Sequence, residues 1–167
     1  MSTRQIVYAA LLAALYAVIG RFLTQYLPNP MVRGGSIIAI NMVVVVIAGI
    51  LLGPRMGALV GFVGTLLNAI ISPAGSQSFE FVAVIPHTIM GYVAGLLGRA
   101  NQIVAAFAIL VGHGLNIVGF LLVGLLPFSA VAVAVFWVGL ATETVIDLIV
   151  IWITVAALRP LVRQLPA

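Results

Sequence analysis

The chain has 167 residues, of which 64% are apolar and only 6% charged, and its formal net charge of +4 reflects seven arginines and no lysine. Soluble domains carry about 25% charged residues, and so few charged side chains cannot cover the surface of a soluble fold. The composition therefore excludes an ordinary soluble domain and predicts an integral membrane protein. The arginines are dispersed singly between apolar runs, which argues against nucleic acid as a partner. Cysteine is absent, which excludes disulfides and thiolate metal sites.

Six apolar runs follow one another along the chain, and each is close to the length of about 20 residues that a helix needs to cross a bilayer. They comprise residues 6–27, 36–52, 56–71, 79–98, 102–126 and 129–158. Helix breakers separate them, including Pro30 after the first run, Pro54 after the second and Pro127 after the fifth. The sequence therefore predicts an all-α membrane protein, a bundle of six transmembrane helices in a single domain spanning residues 1–167.

The distribution of arginine between the helix ends predicts their orientation, because cytoplasmic loops carry an excess of basic residues. With the N-terminus inside, five arginines fall on the cytoplasmic side, namely Arg4, Arg55, Arg99, Arg159 and Arg163. Only Arg21 and Arg33 fall on the outer side, and the opposite orientation would reverse this ratio. We therefore expect both termini to face the cytoplasm.

Small residues recur at four-residue spacing on three predicted helices, and this spacing lets helix backbones approach closely in a membrane. The glycine pairs are Gly57 with Gly61 and Gly91 with Gly95. Both pairs are typical of packing within the protein's own bundle. The first helix carries Ala9, Ala13 and Ala17. This alanine stripe fits either an internal neighbour or a helix of a separate partner protein.

Ionisable and strongly polar side chains within apolar helices are costly, so each is a candidate functional residue. Glu143 and Asp147 lie four residues apart on one face of the sixth predicted helix, and His113 and Asn116 share a face of the fifth. The remaining candidates are His87 in the fourth helix, with Glu80, Asn68 and Asn41 toward the outer side. The alternative for each is an interhelical hydrogen bond worth about 1 kcal/mol, with no ligand involved.

Two histidines and two acids could also hold a metal ion. These ligands are spread over three predicted helices without the spacing of a known metal motif, so we expect no metal site. The chain contains no GxxxxGK[ST] loop, no HExxH and no GxSxG. ATP hydrolysis and the familiar hydrolase reactions therefore have no residues to carry them, and we expect neither enzymatic activity nor a cofactor.

Three stretches resemble the S components of energy-coupling factor (ECF) transporters, small six-helix membrane proteins that capture vitamins and related micronutrients. Residues 9–15, AALLAAL, are similar to the alanine-rich first helix of that family with its AxxxA motif. Residues 48–61, AGILLGPRMGALVG, are similar to the family's GPxxGAxxG junction between helices 2 and 3. Residues 85–95, IPHTIMGYVAG, resemble its fourth helix. These motifs concern the scaffold and the coupling rather than the substrate.

The resemblance implies a multi-pass protein of the prokaryotic plasma membrane, which binds a vitamin-like, water-soluble small molecule from outside. It also implies docking through the first helix, which carries Ala9, Ala13 and Ala17, onto a transmembrane T component that two ABC ATPases drive. The T component, the ATPases and the lipid bilayer are therefore the expected partners beside the substrate.

In the family, the substrate pocket lies in the outer half of the protein, between helices 4 to 6 and under the loop that joins helices 1 and 2. The corresponding loop here is residues 27–36 and includes Arg33. Thiamine-binding members use acidic, histidine, asparagine and tryptophan side chains, and this chain offers the same types, although aromatic residues for stacking a large flat ring are few. The predicted substrate-binding residues are Arg33, Asn41, Asn68, Glu80, His113, Asn116, Trp137 and Glu143.

Two other functions fit the same sequence. A small proton-coupled secondary carrier would use Glu143 and Asp147 as a proton relay, whereas a non-transporting membrane scaffold would use its polar groups only to join helices. A single cavity that contains Glu80, Asn116, Trp137 and Glu143 favours capture or transport. Complete internal pairing of the polar groups favours a scaffold.

Overall fold

The structure is a computed structural model that describes residues 2–23, 26–27 and 38–163, with side chains as far as Pro160. Within those ranges the chain is helical and contains no strand. The helices are α1 (Thr3–Phe22), α2 (Met42–Leu52), α3 (Pro54–Ile71), α4 (Ala74–Gly98), α5 (Gln102–Ala106), α6 (Ala108–Leu122), α7 (Phe128–Val131) and α8 (Ala134–Arg163). The predicted all-α fold is confirmed for this part of the chain.

Five helical segments of the described chain are long and apolar enough to cross a membrane: α1, α3, α4, α5 together with α6, and α8. The remaining apolar helix, α2, has 11 residues and is therefore only about 17 Å long. The hydrocarbon core of a bilayer is about 30 Å thick. Five of the six predicted spanning segments are therefore helices of sufficient length and apolarity, and the sixth, α2, is shorter than predicted.

The short helix α2 occupies the centre of the bundle. Its sequence, MVVVVIAGILL, is apolar on every side, and all of its residues from Met42 to Gly49 are buried. A helix that is apolar all round belongs in a core, and α2 contacts α1, α3, α4, α5, α6 and α8. The spanning helices therefore pack around a central helix that does not itself cross the bundle.

The N-terminus of α2 lies inside the bundle. A Cβ atom placed on Gly112, in α6, would meet Met42 Cε at 3.0 Å and would also touch Met90 in the second half of α4. The side-chain amide of Asn116 lies 4.0 Å from the Met42 sulfur. Met42 is therefore level with the interior of α4 and α6, and the chain that precedes it enters the protein interior.

The second predicted helix consequently begins at Met42 and not at residue 36. Residues 38–41 form turns, with hydrogen bonds from Ile40 N to Ile38 O and from Met42 N to Ala39 O. Ile38 N also donates to Leu27 O at 2.9 Å, which brings residues 27 and 38 together. Residues 36 and 37 lie outside the described residues.

Local signals explain two other boundaries that differ from the prediction. The first helix begins at Thr3 rather than at residue 6, because Ser2 and Gln5 form a capping box that satisfies the first backbone donors. It ends at Phe22 rather than at residue 27. The third helix begins at Pro54 rather than at residue 56, since proline's missing N–H costs nothing at the first helical position.

The fourth predicted helix begins earlier than expected, and the last two are each interrupted once. α4 begins at Ala74 rather than at residue 79, directly after a proline. Residues 102–126 contain α5 and α6, which are separated by Phe107. α6 ends at Leu122 because Gly124 adopts a φ of +74°. This left-handed conformation commonly terminates helices. Residues 129–158 fall in α7 and α8, and α8 continues to Arg163.

The glycine pairs pack α3 against α4, which confirms the predicted role within the bundle. A Cβ atom on Gly57 would collide with the backbone of Gly91, and one on Gly91 would collide with that of Gly57. A Cβ atom on Gly61 would likewise meet the backbone of His87. Such close approach maximises dispersion contacts, which drive helix association where lipid removes the hydrophobic effect.

The two sides of α1 differ in exposure. Ala9, Ala13 and Ala17 are only 1%, 2% and 5% exposed, so the protein's own helices cover them. A Cβ atom on a glycine of α3 would lie 3.3 Å from the Ala13 carbonyl oxygen. The internal neighbour that the sequence left open is therefore present. Ala10 and Ala14 lie on the exposed side of the same helix.

Three predicted cytoplasmic segments meet at one end of the bundle. They line a cavity of about 400 Å³, whose walls include Gln5 near the start of α1, Arg55 near the start of α3 and Arg99 just after α4. Arg55 and Arg99, two of the five arginines that the sequence assigns to the cytoplasmic side, thus line one cavity.

We expect Gly91→Ala to destabilise the bundle, because its methyl group would be forced against the backbone of Gly57, which cannot rotate away. Overpacking of this kind costs about 1–3 kcal/mol. The matched control is Gly114→Ala on α6, where a Cβ atom meets nothing within 4 Å and alanine's helix propensity adds up to about 1 kcal/mol. Thermal unfolding in detergent measures both. Equal stabilities would contradict the packing described here.

Candidate functional site

The interior of the bundle contains polar side chains from four helices and from the turn before α2. The buried polar residues of the described chain are Asn41, Thr65, Asn68, His87, His113, Glu143, Thr144 and Asp147. Burying such groups costs free energy unless they find partners. Their contacts divide them into three groups, which lie around His87, around Asn68 and around Asp147.

The first group is a hydrogen-bonded hub at His87. Its Nδ1 lies 2.8 Å from the Tyr16 hydroxyl and 3.0 Å from the Thr65 hydroxyl, while its Nε2 lies 3.0 Å from Asn116 Nδ2. Because an amide NH₂ group only donates, Nε2 must accept, and the ring proton of a neutral imidazole is then on Nδ1. The hub joins α1, α3, α4 and α6 at one residue. The carbonyl oxygen of the same amide, Asn116 Oδ1, has no hydrogen-bond partner among the described residues.

The second group brings Asn68 on α3 and Glu80 on α4 together, and their side chains interact. Asn68 is 1% exposed, and a Cβ atom on Gly20 of α1 would lie 2.6 Å from Asn68 Oδ1. A glycine at position 20 is therefore what allows α1 to pass so close to this amide. Asn68 Oδ1 is buried and has no hydrogen-bond partner in the described ranges.

The third group lies between α6 and α8, next to the start of α2. Glu143 Oε1 accepts a hydrogen bond of 2.8 Å from Ala39 N. His113 Nε2 lies 3.6 Å from Asp147 Oδ2, which is too long for a hydrogen bond. One ligand atom from each of His113, Glu143 and Asp147 lies within 4.8 Å of the other two. The packing of α6 against α8 thus assembles residues that sequence spacing kept apart.

The structure joins most of the predicted site residues, but in separate pairs. Asn68 contacts Glu80, Asn116 contacts His87, and His113 and Glu143 share the third group. Asn41 is buried directly before α2.

Of the two remaining predicted site residues, only Trp137 lies within the described residues, and it does not join these groups. Trp137 is half-exposed, and its indole N–H donates to Val131 O at 2.8 Å instead of contacting the buried polar residues. It therefore faces away from the interior that was predicted to contain it. Arg33 lies outside the described residues.

Two residues of the His87 hub were not selected from the sequence. Tyr16 lies one residue before Ala17, the last alanine of the stripe, and is buried on the same side of α1. Thr65 lies three residues before Asn68 and shares its buried face of α3. The helical period alone would have found both, had the inward side of each helix been known.

These features define a multi-pass, helical membrane protein whose apolar interior contains buried polar atoms that have no hydrogen-bond partner among the described residues. Residues 1–163 match a known family, described as ECF-type riboflavin transporter, S component. The protein therefore belongs to this family of transporter S components, as its motifs predicted, and the family is one of transport proteins rather than enzymes. Searches of curated proteins and of solved structures found no significant match.

Tyr16→Phe should lower the free energy of unfolding by about 1 kcal/mol, because it removes one buried hydrogen bond to His87 and leaves its ring packing intact. Tyr92→Phe is the control, since Tyr92 is 45% exposed on α4. Chemical unfolding of both variants in detergent measures the difference. Equal losses of unfolding free energy in the two variants would show that the Tyr16 hydroxyl does not stabilise the protein through His87.

Proposed function

We propose that this protein is the substrate-capture subunit of an ECF-type ABC importer of the prokaryotic plasma membrane. It binds a small water-soluble nutrient from outside and passes it to a T component driven by two ATPases. Family membership over residues 1–163 supports this proposal. The structural observation that carries it is the set of buried polar atoms that have no hydrogen-bond partner within the described chain. An unsatisfied buried group costs about 1–3 kcal/mol, so a ligand that pairs with it gains that free energy.

The unpaired amide oxygens indicate what the substrate offers. Asn68 uses its NH₂ group toward the Glu80 carboxylate, and Asn116 uses its own toward His87. Both amides therefore have a carbonyl oxygen left over, and a carbonyl oxygen only accepts hydrogen bonds. A substrate rich in O–H and N–H donors matches these atoms. Glu80 would accept a further donor or pair with a positive charge.

This chemistry suggests two vitamins to test for binding. Riboflavin is named in the description of the family, and its hydroxylated chain and ring N–H are donors of the required kind. Thiamine is the second probe, because it is a cation and the interior contains the carboxyl groups of Glu80 and Glu143. Tyr16 and His87 supply aromatic rings inside the bundle, but they pack edge to face against each other at 5.8 Å.

The T component docks, in this proposal, on the exposed side of α1. The predicted docking residues Ala9, Ala13 and Ala17 are covered by the protein's own helices, so a partner cannot reach them in this conformation. Ala10 and Ala14 are exposed and repeat the same four-residue spacing. Only 22% of the α1 span is buried, against 33% or more for the other four spans, so α1 is the most accessible of the five.

We propose an orientation with the N-terminus inside. The grouping of Arg55 and Arg99 around one cavity supports it, because basic residues gather on the cytoplasmic side. The docking surface on the first turns of α1 then lies near the cytoplasm, where ATPases act. Asn68 and Glu80 lie toward the opposite end, from which the substrate arrives.

A proton-coupled secondary carrier is the second candidate function. It is favoured by the two acids of the third group, Glu143 and Asp147, which lie one turn apart on α8 and beside His113. Such a carrier would take up substrate in proteoliposomes when driven by a pH gradient alone. A capture subunit would bind the substrate there but would not accumulate it. The unpaired polar atoms argue against a scaffold that uses polar groups only for internal pairing.

The purified protein should bind riboflavin or thiamine in detergent without ATP, sodium or a proton gradient, with a micromolar or lower Kd by calorimetry. Glu80→Gln should weaken binding about tenfold or more, because a charge-assisted hydrogen bond is worth about 1.5–3 kcal/mol. The control is Ser76→Ala on the same helix, whose hydroxyl bonds only to Pro73 O. Wild-type affinity in Glu80→Gln would assign Glu80 a structural role, and binding of neither vitamin would remove both from consideration.

Ala14→Trp and Ala13→Trp should separate docking from folding, because the two positions are adjacent on α1 but Ala13 is buried and Ala14 is exposed. Ala14→Trp should leave folding and substrate binding intact and abolish both uptake in cells and copurification with the T component. Ala13→Trp should instead destabilise the bundle by about 1–3 kcal/mol or more, because the large indole ring would overpack a position that is already buried. Normal uptake by Ala14→Trp would place docking elsewhere.

A further inference from the structure

The third polar group has a feature that substrate capture does not use. Asp147 is fully buried, and neither of its carboxyl oxygens has a hydrogen-bond partner among the described residues. His113 is 5% exposed, and its Nε2 is also without a hydrogen bond in the described chain. Three strong ligand atoms therefore point into one small volume without pairing. Buried carboxylates of this kind cost several kcal/mol unless a positive charge compensates them.

The distances in this group fit a shared ion better than direct contact. A hydrogen bond between His113 Nε2 and Asp147 Oδ2 would need about 2.7–3.2 Å, and the two atoms are 3.6 Å apart. Two ligand atoms that are each about 2.0–2.1 Å from a tetrahedral metal ion lie roughly 3.4 Å from one another. The observed separation is within a few tenths of an ångström of that value. A ligand atom from Glu143 is within 4.8 Å of both.

Charge and donor type point in the same direction. Two carboxylates and a neutral imidazole have a net charge of −2, which one divalent cation neutralises, whereas a monovalent cation leaves a buried negative charge. A mixed set of one nitrogen and two oxygens suits Zn²⁺ and neighbouring transition metals rather than Mg²⁺ or Ca²⁺, which prefer oxygen alone. Three protein ligands also leave one tetrahedral position open, as in zinc sites that bind water or an exogenous donor.

The surroundings hold one of the ligands in position. Glu143 Oε1 accepts the hydrogen bond from Ala39 N, which orients the carboxylate and leaves its second oxygen available. Outer contacts of this type are typical of metal ligands. Thr144, between the two acids, bonds to the carbonyl of Leu140 on its own helix and does not enter the group.

We propose that His113, Glu143 and Asp147 bind one divalent transition-metal ion between α6 and α8. The ion joins these two helices to the start of α2 through the bond from Ala39 to Glu143. This inference goes beyond substrate capture, and it differs from the expectation, based on sequence spacing, that the chain has no metal site. It depends on the three side chains alone and not on which vitamin the protein binds.

The test uses the full chain, purified in detergent through a tag without histidine, stripped with a chelator and dialysed into metal-free buffer. Zn²⁺ and Co²⁺ are added separately, unbound metal is removed by gel filtration, and bound metal is counted by mass spectrometry of the elements. We expect one ion per chain. Bound Co²⁺ should also show the strong visible absorption of a four-coordinate site, and either metal should raise the melting temperature.

Three nearly isosteric variants locate the ion. Asp147→Asn, His113→Gln and Glu143→Gln should each weaken metal binding at least about tenfold, since even outer contacts of metal ligands matter by that factor. Thr144→Val is the matched control on the same turn of α8 and should keep wild-type stoichiometry. Each variant is compared by gel filtration, so a variant that does not fold is recognised and the other two decide.

The outcomes separate this proposal from the proposed function. Vitamin binding is measured on metal-free protein, and metal binding is measured without vitamin, so each can fail independently. A wild-type protein that binds no Zn²⁺ or Co²⁺ would overturn the site and assign the group to a His113–Asp147 pair or a bridging water. One ion per chain that persists in all three variants would equally overturn it, because the ion would then lie elsewhere.

Discussion

A lipid bilayer offers no water to backbone donors and acceptors, so every backbone group at membrane depth needs a partner within the protein. This constraint acts most strongly at the start of α2, because this central helix begins in the interior instead of at the membrane surface. Glu143 supplies the partner, since its carboxylate accepts the hydrogen bond from Ala39 N across 104 positions of sequence. Its negative charge also lies near the positive end of the α2 dipole. One side chain of α8 thus fixes where the central helix starts.

The polar groups of the interior follow from that placement. With α2 starting at mid-depth, Met42 lies against Asn116, and the amide of Asn116 is directed to His87, which in turn holds Tyr16 and Thr65. The glycines of α3 and α4 bring these helices close enough for the hub to close. On the cytoplasmic side of the hub in the proposed orientation, α2 fills the centre of the bundle with apolar side chains. Around the N-terminus of α2 and toward the outer side, the longer helices surround polar side chains instead. A short central helix therefore allows a bundle of this size both a dry core and a polar interior.

Hydropathy and punctuation predicted the membrane class, the all-helical fold and five of the spanning helices, because length and apolarity are local properties of the chain. The sequence also identified the glycine seam, since glycine spacing has few other uses in an apolar helix. It did not predict the start of α2, because Ile38, Ala39 and Ile40 continue the apolar run of the helix that follows. The partner of Ala39 N, Glu143 in α8, is brought there only by the fold. Nor could it tell which alanine face of α1 turns inward. His113 and Asp147 appeared unrelated for a similar reason: α6 and α8 meet only in the folded protein.

The central claim is that the unpaired interior atoms exist to receive a small molecule. The most direct test is native mass spectrometry of the protein extracted gently from its membrane, with the ejected molecule identified by fragmentation. The account predicts one small, donor-rich organic molecule per chain, which is released on unfolding. A chain that carries no such molecule, even after incubation with an extract of small metabolites, would contradict it. Asn68, Asn116 and their neighbours would then only join helices.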